Sequence, residues 1–272
     1  MKRLAEELRV YLKATDIQGL LNASEEELRT FMTLHSGEIL GPCIGTRYIP
    51  EDLQTAFRAG KAADVDIVLC AADGDYGEWF MADGAEKAER ELDDLYARLM
   101  RHCTDRAALE DRLRERFGSP DSVEAKRYVL EMLLFKARTV ALAASQVRGG
   151  GKARLLYANS DAIVELFGMN SAFLACAFLG NLKLAERLGT VLDKDISEIA
   201  QQMLHNFAQT GDPSVTAGDL DNVGEILWPV YDGTENTVLT LKYRFRTGDC
   251  AALFEGMAAL MPYFDFFNAN GD

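Results

Sequence analysis

Five acidic side chains lie around one largely apolar run near residue 70. They are Asp64, Asp66, Asp73, Asp75 and Glu78, and the run is Val65–Ala71. Carboxylates in such numbers are potential ligands for Ca²⁺, which takes six to eight oxygens, but the spacing of an EF-hand loop is missing. We therefore predict a solvated loop and no metal site. The last three carboxylates are also candidates for the acid that orients a catalytic histidine.

Serine-hydrolase chemistry would also require a nucleophile and a base, and the sequence shows neither in a recognisable pattern. The nucleophile of an α/β-hydrolase stands in a Gly-x-Ser-x-Gly turn, and no such string occurs in the 272 residues. The only histidines are His35, His102 and His205, and each lies in a segment with helical periodicity. A lone histidine in a helix is usually a surface residue. Residue types alone therefore do not assemble a catalytic group.

Four blocks of the chain share motifs with one enzyme family. They are residues 41–80, GMNSAFLACAFLGNL at 168–182, HNFAQTGDPS at 205–214 and WPVYDG at 228–233. In the second block Gly168, Gly180 and Asn181 keep the family's register without a gap. The third and fourth form a long string, Phe-Ala-x-Thr-Gly-Asp-Pro followed by Trp-Pro-x-Tyr. Together the blocks resemble the C-terminal half of a type-B carboxylesterase.

The resemblance implies positions for the catalytic triad, and this chain departs from the family at both of them. The acid position falls on Tyr76 and the histidine position on Ser171. The nucleophile turn of the family precedes everything matched here. We therefore predict no serine-esterase activity from this chain alone, no cofactor, and loss of the triad by drift. The alternative is a binding pocket in the old gorge, with hydroxyls from Tyr76 and Ser171 and apolar walls from Trp79, Phe80 and Phe173.

Three hypotheses for the function follow. The first is a non-catalytic carboxylesterase homologue, a remnant or a binding module. The second is one chain of a split carboxylic-ester hydrolase, completed by a separate N-terminal half, although Tyr76 and Ser171 argue against activity even then. The third is an intact hydrolase with a relocated site, marked by a serine within hydrogen-bonding reach of a histidine.

Composition narrows the class of protein further. The formal net charge of −14 argues against nucleic-acid binding, which depends on clustered lysine and arginine. No apolar run approaches the ~18 residues of a membrane span, and the segment MKRLAEELRVYLK lacks the features of a secretory signal. With Met1 as the start, we predict a cytoplasmic protein. Five widely spaced cysteines without a Cys-x-x-Cys pair indicate reduced thiols.

The predicted strands are few, and they define an incomplete parallel sheet. Val65–Ala71 is of the buried parallel type, Leu155–Tyr157 begins a second strand, and alternation from Leu239 to Phe245 predicts a third. The resemblance implies that these strands belong to an α/β fold, a single partial α/β-hydrolase domain over 1–272 without its nucleophile half. Its exposed parallel edge is expected to pair with a separate N-terminal esterase half or with a second copy.

Helices account for most of the remaining chain. Leucine spacing predicts a helix over 1–14, and Ser24 with Glu27 predicts a capping box. Two further helices are predicted over 84–117, and another is predicted between Ser119-Pro120 and the glycines 149–151. A last helix is predicted to end at Gly211 and Pro213. The motif GGGK at 149–152 is interpreted as a flexible turn, because a phosphate loop needs a glycine at Gln146 and a hydroxyl at Ala153.

Overall fold

The structure is a computed structural model. It describes residues 2–35, 45–50, 52–75, 85–159, 170–187, 192–216, 218–220, 223–233, 237–242 and 244–264. The chain divides into two compact units, Met1–Ala56 and Phe57–Asp272. That residues 1–272 form a single domain remains a prediction, which this division into two units does not test.

The first unit contains three short helices. They are α1 (Lys2–Tyr11), α2 (Ile17–Leu21) and α3 (Glu25–Leu34). The capping box is confirmed: the Ser24 hydroxyl accepts from the Glu27 amide, and the Glu27 carboxylate accepts from the Ser24 amide at 2.9 Å. The first helix is shorter than predicted, and Lys13 beyond it takes the left-handed φ of 52°. Leu4 and Phe31 are the buried side chains of α1 and α3.

The second unit is built on one four-stranded sheet. Its strands are β1 (Ile67–Ala72), β2 (Ala153–Ala158), β3 (Thr237–Leu241) and β4 (Phe245–Asp249). They lie in the order β1-β2-β3-β4, the first three parallel and the last antiparallel. The two predicted parallel strands are confirmed, each displaced by one or two residues. The run in β1 is continuously apolar, and β2 is apolar apart from Arg154 and the Tyr157 hydroxyl, as is typical of parallel strands that are covered on both faces.

The prediction of one strand from Leu239 to Phe245 is wrong. The chain reverses between Leu241 and Phe245, which are paired across β3 and β4. Alternation of apolar and polar residues continues through the turn, since Phe245 faces the same core as Leu241. A period of two is therefore compatible with a hairpin as well as with one longer strand.

Helices cover the sheet on both faces. They are α5 (Ala85–Met100), α6 (Arg106–Phe117), α7 (Val123–Leu130), α8 (Ala137–Arg148), α9 (Ser171–Phe178), α10 (Leu182–Arg187), α11 (Lys194–Thr210) and α12 (Ala251–Leu260), with a 3₁₀ turn at Met261–Tyr263. A further helix, α4 (Leu53–Arg58), contains the boundary between the two units. Helices α5 to α8 and α12 supply the core on one face, with Leu155 and Val238 of the sheet. Helices α9 to α11 supply the other, with Leu156 and Leu239.

The predicted pair of helices over 84–117 is confirmed, and so is the helix that Gly211 ends with a φ of 76°. The helical run from Ser122 to the glycines contains a feature that periodicity missed. Residues Glu131–Lys136, between α7 and α8, form a π-helix. No helix among the described residues is long and apolar enough to cross a membrane.

Buried arginine and glutamine side chains join distant segments of the second unit. Arg154 on β2 donates to the carbonyls of Gly211, at 2.8 Å, and Trp228, at 3.2 Å. Gln146 on α8 donates to the carbonyls of Ala62 and Val65. These bonds satisfy backbone acceptors in the segments before and beside the sheet.

Candidate functional site

Polar side chains gather where the parallel strands β1 and β2 end. Asp73 and Asp75 follow β1, and Asn159 follows β2. The Asp73 amide donates to the Ala158 carbonyl at 3.1 Å and so extends the pairing by one residue. Open α/β sheets carry their ligand sites beyond the carboxyl ends of the strands. This edge is therefore the candidate functional site.

Asp75 and Ser171 form the first contact of the site. The Asp75 side chain is only 6% exposed, and its Oδ1 accepts from the Ser171 amide at 2.7 Å and from the Ser171 hydroxyl at 2.6 Å. Ser171 is the first residue of α9, whose N-cap is Asn170. The positive end of the helix dipole and two donors thus hold a buried carboxylate. Sequence reasoning named both residues but did not predict their contact.

Asp73, Lys136 and Tyr157 form the second contact. Oδ1 of Asp73 accepts from Lys136 Nζ and from the Tyr157 hydroxyl, each at 2.5 Å. The lysine side chain is almost completely buried, and its ammonium lies 5.7 Å from the centre of the Tyr157 ring. Burial, followed by the charge and hydrogen bond of Asp73, raises the pKa of Tyr157. Tyr157 is therefore a hydrogen-bond donor at every physiological pH.

Glu131 adds a second carboxylate beside the buried lysine. Its Oε2 lies 3.8 Å from Lys136 Nζ, and its side chain is 16% exposed. Burial raises the pKa of Glu131 from 4.5 to about 7, although Lys136 and Arg127 lower it; Asp73 and Asp75 raise it further. The group consisting of Asp73, Asp75, Glu131, Lys136, Tyr157 and Ser171 is called the strand-end cluster below.

Two thiols border the strand-end cluster, that of Cys250, which is buried, and that of Cys70, which is partly buried. Burial, with a smaller effect of the Asp75 charge, raises the pKa of Cys70 to about 12. Burial also raises the pKa of Cys250 to about 11, with contributions from Asp249 and Asp73. Both therefore remain protonated near neutral pH and are poor nucleophiles. No group of three or more His, Cys, Asp or Glu in the described parts of the chain could hold a metal ion.

The residues that the resemblance singled out divide into two groups. Tyr76, Trp79 and Phe80 lie outside the described residues. Ser171 stands in the cluster, whereas Phe173 is 3% exposed and belongs to the core between the sheet and α9 to α11. Among the described residues, the Asp75 side chain accepts from the amide and the hydroxyl of Ser171, and none of the three histidines takes part in these bonds.

Sequence reasoning missed two charged residues of the cluster, Glu131 and Lys136. It also missed their polar neighbour Tyr157. One signal for Lys136 was available: it stands inside the apolar string Met132–Ala137. A lysine is almost never fully buried unless it is paired, so its position predicts a buried anionic partner. The identity of that partner depends on the packing of the π-helix against β1.

A wide cleft lies away from the strand-end cluster, beside the edge strand β4. It has a volume of about 840 Å³. Its walls carry both signs of charge, with Arg244 and Arg246 opposite Asp195 and Glu198. Sequence reasoning assigned no role to this region.

No protein-family model and no curated protein matches this sequence. The fold, however, is similar to two crystal structures of carboxylesterase EST55 from Geobacillus stearothermophilus. The TM-scores are 0.68 for the structure at pH 6.2, at 17% identity, and 0.58 for the structure at pH 6.8, at 19% identity. The prediction of a partial α/β-hydrolase-like fold is confirmed. The matches cover 94% of this chain but only 54% and 53% of the esterase, so the chain spans about half its length.

Proposed function

We propose that this chain corresponds to the C-terminal half of a type-B carboxylesterase and does not hydrolyse esters by itself. The contact between Asp75 and Ser171 is the observation that supports this proposal most directly. In the resemblance, the histidine position falls on Ser171 and the acid position on Tyr76, next to Asp75. An acidic residue next to the acid position thus contacts the histidine position, which carries a hydroxyl and no imidazole.

The chemical difference between the two groups decides the outcome. A general base in ester hydrolysis has a pKa near the working pH, so that it both takes and returns a proton. A serine hydroxyl that donates to a carboxylate at 2.6 Å has no such capacity. The pair therefore anchors the start of α9 rather than moving protons, and the chain acts as a non-catalytic module.

A binding role for the carboxyl ends of β1 and β2 is also part of the proposal. The strand-end cluster offers buried carboxylates, a lysine and two hydroxyls. Tyr76, Trp79 and Phe80 are proposed to line the pocket above it, as the resemblance implies. Phe173, the other proposed wall residue, is 3% exposed and packs in the core between the sheet and α9 to α11.

The purified chain is expected to show no turnover of a p-nitrophenyl ester above that of buffer. Ser171→His is expected to leave it inactive as well, since an imidazole without a nucleophile and an oxyanion hole has no bond-forming partner. The measurement is release of p-nitrophenolate, with and without a serine-directed phosphonate. Turnover that the phosphonate abolishes would contradict the proposal and support an intact hydrolase with a relocated site.

A second candidate, one chain of a split carboxylic-ester hydrolase, is supported by the open edge of β1. All six residues of β2 are buried, whereas Ile67–Cys70 of β1 are partly exposed. The amides of Ile67 and Asp73 donate to the β2 side, so by alternation those of Val68 and Cys70 point away from it. No described strand pairs with that side. The occupant proposed here is a separate N-terminal esterase half, and self-association is the competing outcome.

Val68→Pro is expected to block pairing at this edge while preserving the fold. Proline is tolerated on an edge strand where its missing N–H would face outward. Leu69→Pro is the matched variant, because its amide points toward β2, and it is expected to unfold the sheet. The measurement is co-purification of each variant with a separate polypeptide that carries the N-terminal half of a carboxylesterase fold, the half that this chain does not span. Binding that survives Val68→Pro would exclude this edge, and a dimer of the chain alone would favour self-association.

A further inference from the structure

The π-helix Glu131–Lys136 interrupts an otherwise regular helical run beneath the strand-end cluster. Such segments are rare, carry i to i+5 hydrogen bonds and occur frequently at functional sites. In an α-helix, residues five apart differ by about 140° around the axis, because each residue advances by about 100°. The wider π turn brings Glu131 and Lys136, five apart, onto one face, with their charged atoms 3.8 Å apart.

The charges facing Glu131 come from three elements. Lys136 belongs to the same π-helix, Arg127 lies on α7, and Asp73 and Asp75 follow β1. Tyr157 on β2 faces the same group as a neutral donor. When Glu131 is ionised, Glu131 and Asp73 compete for the Lys136 ammonium, and the charge of Asp75 adds to the excess negative charge of the cluster. When Glu131 is protonated, Lys136 pairs with Asp73 at 2.5 Å without Glu131 as a competing anion.

We propose that Glu131 and Lys136 form a proton-operated latch on the carboxyl end of β1. When Glu131 is protonated, Lys136 pairs with Asp73 alone, and this ion pair holds the turn from Asp73 to Asp75 in place. Ionisation of Glu131 draws Lys136 toward a second anion and repels Asp73 and Asp75. The turn then loosens, and with it the contact of Asp75 with Ser171. This inference does not depend on whether the chain hydrolyses esters.

The direction of the pH effect follows from the pKa of Glu131. Burial raises it from 4.5 to about 7 in the folded protein. Between these values the folded protein holds a proton that the unfolded chain has released. The free energy of unfolding therefore falls as the pH rises through this window, and this contribution levels off above pH 7. Closure of the latch is expected below neutral pH.

Amide hydrogen exchange at Ser171 tests the latch directly, because this amide donates to Asp75. In the native protein, its protection factor is expected to fall about tenfold between pH 6 and pH 8, after correction for intrinsic exchange. Glu131→Gln is expected to remove this step, since an amide stays uncharged. Glu255→Gln removes an exposed glutamate of α12 and is expected to retain it. The carboxyl carbon of Glu131, followed by NMR, should titrate with the same midpoint.

Two results would overturn the proposal. One is a Ser171 protection factor in the native protein that does not change between pH 6 and pH 8. The other is a step that persists in Glu131→Gln. Should Glu131→Gln fail to fold, Asp73→Asn provides the second variant, because removal of the Asp73 charge is expected to move the midpoint of Glu131 to lower pH. An unchanged midpoint in that variant also contradicts the latch. Neither readout involves ester turnover.

Discussion

Replacing Lys136 with methionine is expected to lower the free energy of unfolding by about 3 kcal/mol at pH 8, because it leaves Asp73, 30% exposed, and Glu131, 16% exposed, without the buried ammonium beside them. Methionine preserves most of the volume, so the loss is electrostatic rather than a cavity effect. Of its described side-chain partners, Asp73 would retain the Tyr157 hydroxyl, and Glu131 would lose the Lys136 ammonium 3.8 Å from it. Chemical denaturation at fixed pH measures the change.

The matched control is Lys126→Met. Lys126 also bonds an aspartate, Asp93, at 2.7 Å, but that carboxylate is 62% exposed. Exposed pairs contribute about 0 to 1 kcal/mol, so a small change is expected. The double variant Lys136→Met with Asp73→Asn should recover part of the loss. Equal effects at Lys136 and Lys126 would show that the buried position adds nothing to the ion pair.

The pH dependence of the Lys136→Met variant provides an internal check. Protonation of Glu131, whose pKa burial raises to about 7, removes part of the uncompensated charge, so the loss relative to the native protein is expected to shrink as the pH falls toward 5. A loss that stays constant over this range would indicate a packing defect instead.

Gly149→Ala is expected to cost about 3 kcal/mol, through a steric clash rather than a charge effect. A Cβ built on Gly149 would lie 2.0 Å from the Phe57 carbonyl oxygen and 3.1 Å from backbone atoms of Gly60. Both neighbours are backbone, so no side chain can rotate away. The end of α8 would have to separate from the segment that follows α4. Thermal unfolding measures the destabilisation.

Gly224→Ala is the control, since a Cβ there meets nothing within 4 Å and its φ is not positive. We expect a change within about 0.5 kcal/mol, as at most surface positions. The glycines at 149–151 were interpreted as a flexible turn. The structure shows another reason for Gly149, because the backbone packs so closely there that a side chain would not fit. A stability unchanged in Gly149→Ala would show that the two segments separate at little cost.

Local sequence patterns predicted much of the secondary structure, because the forces that set these elements act within a few residues. The continuous apolar run at β1, the capping box at Ser24 and the glycine that ends α11 all depend on neighbours in the chain. The same patterns could not distinguish one strand from a hairpin at Leu241–Phe245, since both keep the period of two. They also could not detect a π turn inside a helix of correct composition.

The sequence by itself determined the α/β fold class and the absence of a Gly-x-Ser-x-Gly string in the 272 residues, and the resemblance predicts that the histidine position falls on Ser171. Only the tertiary structure decided which side chains meet at that position. Asp75 and Ser171 are 96 residues apart, and Lys136 and Asp73 are 63 apart. Such pairs form because parallel strands bring their carboxyl ends to one edge, where helices from other parts of the chain supply the partners. No periodicity in the sequence encodes which carboxylate meets which donor across that edge.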